Sequence, residues 1–443
     1  MFENMETMEN TKKGNVENDT KEKTYEDNTK TIIPDGGWGW IVCLACLFAN
    51  FACGGPALAY GIILPELKKY FKEGVFIISL IGSVLSTIGF AVAPIAAILM
   101  NKLILRTVYI LGSVWFSLSV LASSFSTSPY VLLITYGIIA GIGSGLQQLP
   151  ATIGCNYYFE KKRALANGIA KTGISLSIFV YPPMTDLVLE KFDWKAVMYL
   201  YASIISLGIF LGAMIKPLNS KNRDQEAQFD KASIEQKSST NQAKSKSIIE
   251  KSPWYHPSIW LFTMHRMLGN MTFRLFMMFI PILLIDLGFT LTQASFIVMV
   301  SGITNTISRV ISGSIMDHRR INNFILISTG LIIQAILLCI YPFCNKFIIL
   351  IILSGFGGFL IAPFHIGMAI VLGELLPIEK VASVSGLMSL AQGIGNLVGP
   401  PLAGYIYDHS GDHSIIFYIV ATGYILSAIS CWLAGYLYKK RKI

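Results

Sequence analysis

Apolar residues run along this chain in long blocks, separated by short polar breaks. A helix crossing the hydrocarbon core of a bilayer needs ~20 mostly apolar residues, and twelve blocks of that kind can be read. The first six lie at 37–65, 75–100, 106–126, 129–154, 164–186 and 194–216. The second six lie at 258–286, 291–316, 322–341, 347–373, 381–406 and 414–438. The pattern predicts an all-α membrane protein of twelve transmembrane helices. Residues 217–257, between the sixth and seventh blocks, are rich in Lys, Ser and Gln and read as a flexible linker. Residues 1–33 are charged and Asn/Thr-rich with no apolar run of the signal-peptide kind, so they read as a disordered cytosolic tail. The expected division is thus 1–33, a six-helix half at 34–216, the linker, a second half at 258–438, and a short tail at 439–443.

The two halves carry a common mark. Gly168 stands before Pro182-Pro183 at the same spacing as Gly386 before Pro400-Pro401, and both sets fall in the fifth helix of their half. Repeats of six helices are an architecture found among transporters. Orientation follows from Lys and Arg. With the N-terminus inside, the cytosolic loops carry Lys102, Arg106, Lys161, Lys162, Arg163, Arg319, Arg320 and Lys380, besides the basic linker and the Lys439-Lys440-Arg441-Lys442 end. This bias places both termini in the cytosol; the outer pair Lys68-Lys69 is its one misfit.

Composition adds exclusions. Of 443 residues 53% are hydrophobic and 14% charged, against about a quarter charged in soluble domains. The formal charge of +9 sits between apolar blocks, which is the pattern of membrane topology and not of nucleic-acid binding. Seven cysteines lie mostly inside apolar stretches, and the Cys43-x-x-Cys46 pair reads as small packing residues. No metal-ligand spacing, nucleotide loop or nucleophile constellation is present, so neither an enzyme nor a cofactor is expected. Gly137, Gly141 and Gly145 share one face of the fourth helix and predict close packing there.

The most specific stretch is Pro34-Asp35-Gly36-Gly37-Trp38-Gly39-Trp40 at the head of the first helix. Asp35 suits free N–H groups and the positive end of a helix dipole, the glycines permit close backbone approach, and Trp38 and Trp40 suit a membrane–water boundary. As a string it resembles the opening signature of the monocarboxylate transporter family within the major facilitator superfamily. Three further stretches are similar to that family: Tyr157 to Ala170, with the basic loop of Lys162 and Arg163; Gln392 to Gly404; and Gly313 to Arg320, with Asp317 and Arg320 in a loop motif where acid and base pin neighbouring helices. The resemblance implies a major facilitator fold of two six-helix halves, transport across the plasma membrane, and a gating role for the basic loop. Some proton-linked members of the family reach the cell surface with a single-span glycoprotein, and the resemblance leaves such an ancillary partner open.

Charges inside a bilayer are costly and mark function. Lys171, Arg274 and Arg309 are the candidates, and Arg274 is the most central. Lys171 and Arg309, each ~10 Å from the cytosolic end at 1.5 Å per residue, have the alternative of snorkelling; Arg309 has also that of pairing with Asp317. The proton-linked members carry an Asp four residues before this arginine and a Lys in the first helix; those positions read Asn305 and Leu58 here. The usual proton pair is missing. Unpaired cations favour an anion, and Arg can grip a carboxylate bidentately. The expected substrate site is therefore Arg309, Asn305 and Arg274 with Tyr60, Lys171 and His365. His365 reads either as a displaced proton site or as a hydrogen-bonded core residue. The leading expectation is facilitative transport of a small organic acid, a monocarboxylate or an amino-acid-like solute, by alternating access. Symport through a displaced proton site and a non-transporting sensor or scaffold are the competing readings.

Overall fold

The structure is a computed structural model, and it describes residues 36–159, 162–216, 257–316, 318, 321–376, 378–410 and 414–442. Among these the helices are α1 (Gly39–Leu58), α2 (Tyr60–Phe71), α3 (Val75–Ala91), α4 (Ala93–Lys102), α5 (Leu105–Ser123), α6 (Pro129–Tyr158), α7 (Arg163–Leu189) and α8 (Trp194–Ala213). After the linker come α9 (Pro257–Asp286), α10 (Leu291–Met316), α11 (Asn323–Ile340), α12 (Phe347–Leu375), α13 (Ile378–Ser410) and α14 (Ile415–Lys442). Counting α1 with α2 and α3 with α4 as single spans, these are twelve membrane-length elements. Eleven are long and apolar enough to cross a bilayer. The twelfth, α13, has the length at 33 residues, but Gln392, Asn396, Asp408 and its glycines dilute its hydropathy. Its ends agree with the sequence reading to within a few residues, as do those of most other spans.

The first span differs. It does not stop at residue 65 but continues to Phe71 through a break at Ala59, whose ψ of 0 interrupts the helix three residues after Pro56. Lys68 and Lys69, expected in an outer loop, stand in the last turn of α2. Packing explains the extension. Tyr70 and Phe71 rest on Trp194 with ring centroids 5.4 and 5.7 Å apart, and the Lys68 ammonium lies 4.9 Å from the Tyr407 ring centroid. Lys72 then ends the helix in the left-handed conformation at φ 56.

Large apolar side chains such as Leu118, Phe210, Val310 and Ile348 are strongly exposed on the outer surfaces, where lipid is their solvent. Between helices the packing relies on small residues. A Cβ at Gly141 would lie 2.7 Å from Ile88, and one at Gly145 2.7 Å from the Gly89 carbonyl oxygen. The glycine face foreseen on the fourth span is the face that meets α3.

Two ends of the bundle can be distinguished. The linker end carries residues 102–105, 216, 257, 316, 318 and 321–323; the far end carries 72–75, 190–194, 286–291, 410 and 414. The helices before the linker meet those after it along three seams, α3 with α13, α7 with α10, and α2 with α9. The seams are closed at the far end. Asp408 of α13 accepts from the backbone N–H groups of Val75 and Phe76 at 3.0 Å each, and so caps α3 from across the seam. Ser295 of α10 donates to Asp186 of α7 at 3.2 Å. Gly61 abuts the Met277 and Met278 carbonyls so closely that a Cβ would lie 2.5 Å from the latter. Toward the linker end, α4 packs on α5 and α6 of its own half. The structure is therefore pinned at the far end, and the halves also touch deeper in, where Thr87 Oγ1 donates to the Gly393 carbonyl oxygen at 3.0 Å.

Candidate functional site

Arg309 lies at the α7–α10 seam. Its Nε donates to Asn305 Oδ1 at 3.1 Å, one turn earlier on α10, and its Nη1 donates to the Lys171 carbonyl oxygen of α7 at 3.3 Å. Asn305 is buried and fully engaged. Its Oδ1 also accepts from Ser175 Oγ at 3.1 Å, and its Nδ2 donates to the Gly358 carbonyl oxygen of α12 at 3.0 Å. Small residues make this possible: a Cβ on Gly358 would lie 2.2 Å from the Ser301 carbonyl oxygen. Asn305 thus holds Arg309 in place and ties three helices, whereas the sequence reading has it binding the polar remainder of a solute. Both amide atoms are already taken in this conformation.

Lys171 presents an exposed side chain well inside the span of α7. Arg274 is partly buried on α9, and its Nη1 is buried with no hydrogen-bond partner. Beside it Phe273 packs edge-on against His365 of α12, ring centroids 4.6 Å apart, and His365 Nε2 likewise has no partner. The charges of Arg309, Arg266 and Arg274 all reach His365, and those of Arg309 and Arg266 reach Lys171. Four of the expected residues, Arg309, Arg274, Lys171 and His365, therefore form one electropositive neighbourhood. Among the described residues, no carboxylate hydrogen-bonds to Arg309 or Arg274.

Tyr60 sits elsewhere. It is wholly buried at the start of α2, donates its hydroxyl to the Ile78 carbonyl oxygen at 2.8 Å and packs on Tyr136 at 5.8 Å. Its ring and the Met278 methyl both crowd Gly82, one turn beyond Arg274 toward the closed end. Here it is a packing residue of the seam.

The signature residues tie helix ends together. The Gly36 carbonyl accepts from Gly39 N at 3.0 Å, and Gly37 takes a φ of +52 that suits glycine. Trp38 Nε1 donates to the Met214 carbonyl oxygen at 2.8 Å, with the Lys216 ammonium 3.9 Å from its ring centroid. Trp40 packs on Phe159 at 4.9 Å. The motif therefore fastens α1 to the ends of α6 and α8, a more specific task than anchoring at an interface. Lys162 precedes α7 and is exposed, and Arg163 is the first residue of that helix. Asp35, Asp317, Arg320 and the Arg163 side chain lie outside the described residues.

Sequence reasoning passes over Arg266. It is buried on α9, donates from Nη1 to the Phe364 carbonyl oxygen and from Nη2 to Gln392 Oε1 (3.3 Å), and stacks over the Phe364 ring at 4.1 Å. Its nearness to the basic linker disguises it as a topology marker. The available signal is its spacing of eight residues from Arg274, which places both on one helical stripe. His265, also overlooked, is a core residue held by the Ser427 carbonyl and hydroxyl oxygens at 3.0 and 2.9 Å.

Comparison with known proteins agrees with this architecture. The sequence model of the Major Facilitator Superfamily matches residues 41–333 and 325–442. Monocarboxylate transporter 9 of Pongo abelii is 26% identical, the alignment covering 90% of this chain and 94% of that protein. Monocarboxylate transporter 13 of Bos taurus is 28% identical over 89% of this chain and 88% of its own length. For monocarboxylate transporter 7 of Homo sapiens the values are 25%, 91% and 87%. These relatives bear out the resemblance carried by the four motifs. Among solved structures, a D-xylose-proton symporter superposes with a TM-score of 0.70 at 14% identity, covering 89% of this chain and 98% of that one. This likeness concerns the fold alone.

Proposed function

The chain belongs to the Major Facilitator Superfamily, and from that footing we propose that it carries a small organic acid, a monocarboxylate or an amino-acid-like solute, across the plasma membrane. The observation that carries this reading is the state of Arg309 and Arg274. Two guanidinium groups lie within membrane-spanning helices, and their described hydrogen bonds go only to an amide and a backbone carbonyl. Buried cations without a resident counter-charge are costly, and a solute carboxylate supplies that charge in bidentate form. The relatives, all named monocarboxylate transporters, point the same way.

Transport proceeds by rocking of the halves at 34–216 and 258–438 about the solute. The Lys/Arg bias puts the linker end and both termini in the cytosol, so the pinned far end is the exterior one. The carrier is facilitative. Asn305 and Leu58 replace the acid and the lysine of proton-linked members, and Asn305 has no proton to exchange. The test is uptake of labelled monocarboxylates into proteoliposomes, with and without a pH gradient. Arg309→Gln and Arg274→Gln should each lower uptake at least tenfold at matched protein content, and wild-type uptake should need no gradient. Uptake by both variants equal to wild type would refute the reading.

A further inference from the structure

We propose that the solute site has a second anionic pole, built by Arg266 with Asn396 and His365, and that the protein prefers short linear dicarboxylates to monocarboxylates. The proposal rests on the organic-acid reading above and moves its preferred solute from a monocarboxylate to a diacid. Its starting point is a surplus of positive charge. Arg266, Arg274 and Arg309 all act on His365, and Arg266 and Arg309 act on Lys171; the described partners of Arg266 and Arg309 are carbonyl and amide oxygens, and Arg274 Nη1 is buried with none. One monocarboxylate grips one or two of these cations and leaves the rest uncompensated.

The second pole is a built site. Arg266 is only 5% exposed, and its stacking on Phe364 and bond to Gln392 fix the plane of its guanidinium. Its Nε remains buried without a partner. Asn396, 1% exposed, is oriented by a bond from Asn270 Nδ2 to its Oδ1 at 3.0 Å, which leaves its own Nδ2 without one. His365 Nε2 and Arg274 Nη1 are unpartnered too. Unsatisfied buried donors are rare in folded proteins and call for a partner. Four of them recur here on three helices, α9, α12 and α13, and each can donate to a carboxylate.

Spacing bears on the shape of the solute. Arg266 and Arg274 are eight residues apart on α9, about 12 Å along its axis. That rise separates the two backbone positions; their long side chains bring the guanidinium groups to one solute, and a charge-assisted bond from each suits a short linear diacid better than a single carboxylate.

The experiment uses the full-length protein in proteoliposomes, with succinate, glutarate and adipate compared against butyrate and valerate, in uptake and in thermal stabilisation of the detergent-solubilised protein. Wild type should half-saturate at least tenfold lower with the best diacid than with either monoacid. Arg266→Gln should erase that preference. Gln392→Glu, which pairs Arg266 with a resident carboxylate and keeps the packing, should erase it too and covers the case in which Arg266→Gln does not fold. Monoacid uptake with no diacid preference in wild type overturns the second pole and leaves the single-anion reading standing. A diacid preference unaffected by Gln392→Glu also overturns it. Failure to bind or carry any of the five acids refutes the organic-acid reading itself.

Discussion

Asp408 gives the sharpest test of how the far end is held. Its carboxylate reaches across the α3–α13 seam and accepts two backbone N–H groups at the start of α3, both at 3.0 Å. Those groups have no partner within their own helix, and they carry the positive end of its dipole. Removing an N-terminal cap costs about 0.5–2 kcal/mol. Asp408 is exposed, so the stronger range for buried charged bonds does not apply. The cap exists only while α13 lies against α3, so its loss weakens the closed far end and nothing within either half. Asp408→Ala should therefore shift the equilibrium away from this state by about 2- to 30-fold, at 1.4 kcal/mol per factor of ten. Asp408→Asn keeps one acceptor and should fall between. A reporter cysteine at Ser79, buried beneath Gly404 in the seam, introduced into a cysteine-free background, should react with an impermeant maleimide applied from the far end faster by that factor. Equal labelling rates in parent and Asp408→Ala would refute the reasoning.

Two further outcomes follow from the same seams. Gly61→Ala places a methyl group 2.5 and 2.7 Å from the Met278 and Met277 carbonyl oxygens; the overpacking should cost the closed state ~1–3 kcal/mol and raise far-end labelling as Asp408→Ala does, an effect that unchanged labelling would deny. Tyr60→Phe deletes the bond to Ile78 and should lower thermal stability by an amount matching ~0.5–1.5 kcal/mol while the half-saturating solute concentration stays constant; a large rise in that concentration would instead make Tyr60 a solute contact.

Much of the fold was legible because a bilayer leaves few choices. Apolar length fixes the spans, and glycines at 137, 141 and 145 announce a closely packed face, though not the helix that meets it. The extension to Phe71 was not legible, since it depends on Tyr70 and Phe71 finding Trp194 far along the chain. The site was half legible. Isolated charges within apolar blocks identify Lys171, Arg274 and Arg309 from desolvation cost alone. Asn305 was placed correctly beside Arg309, but its partners on α7 and α12 are tertiary facts, and they change its task. Arg266 was hidden because position near a basic linker and burial beneath Phe364 give the same letter in the sequence. Tyr60 carries a polar tip that periodicity cannot distinguish from one facing a solute.

The bond between Arg309 and α7 ends on the backbone oxygen of Lys171, not on its ammonium. Replacing the residue at 171 changes the local charge but leaves the acceptor where it was. Ionic preference at that position is therefore free to vary over generations without unfastening the two helices. Only a change in the path of α7 itself would take that acceptor away.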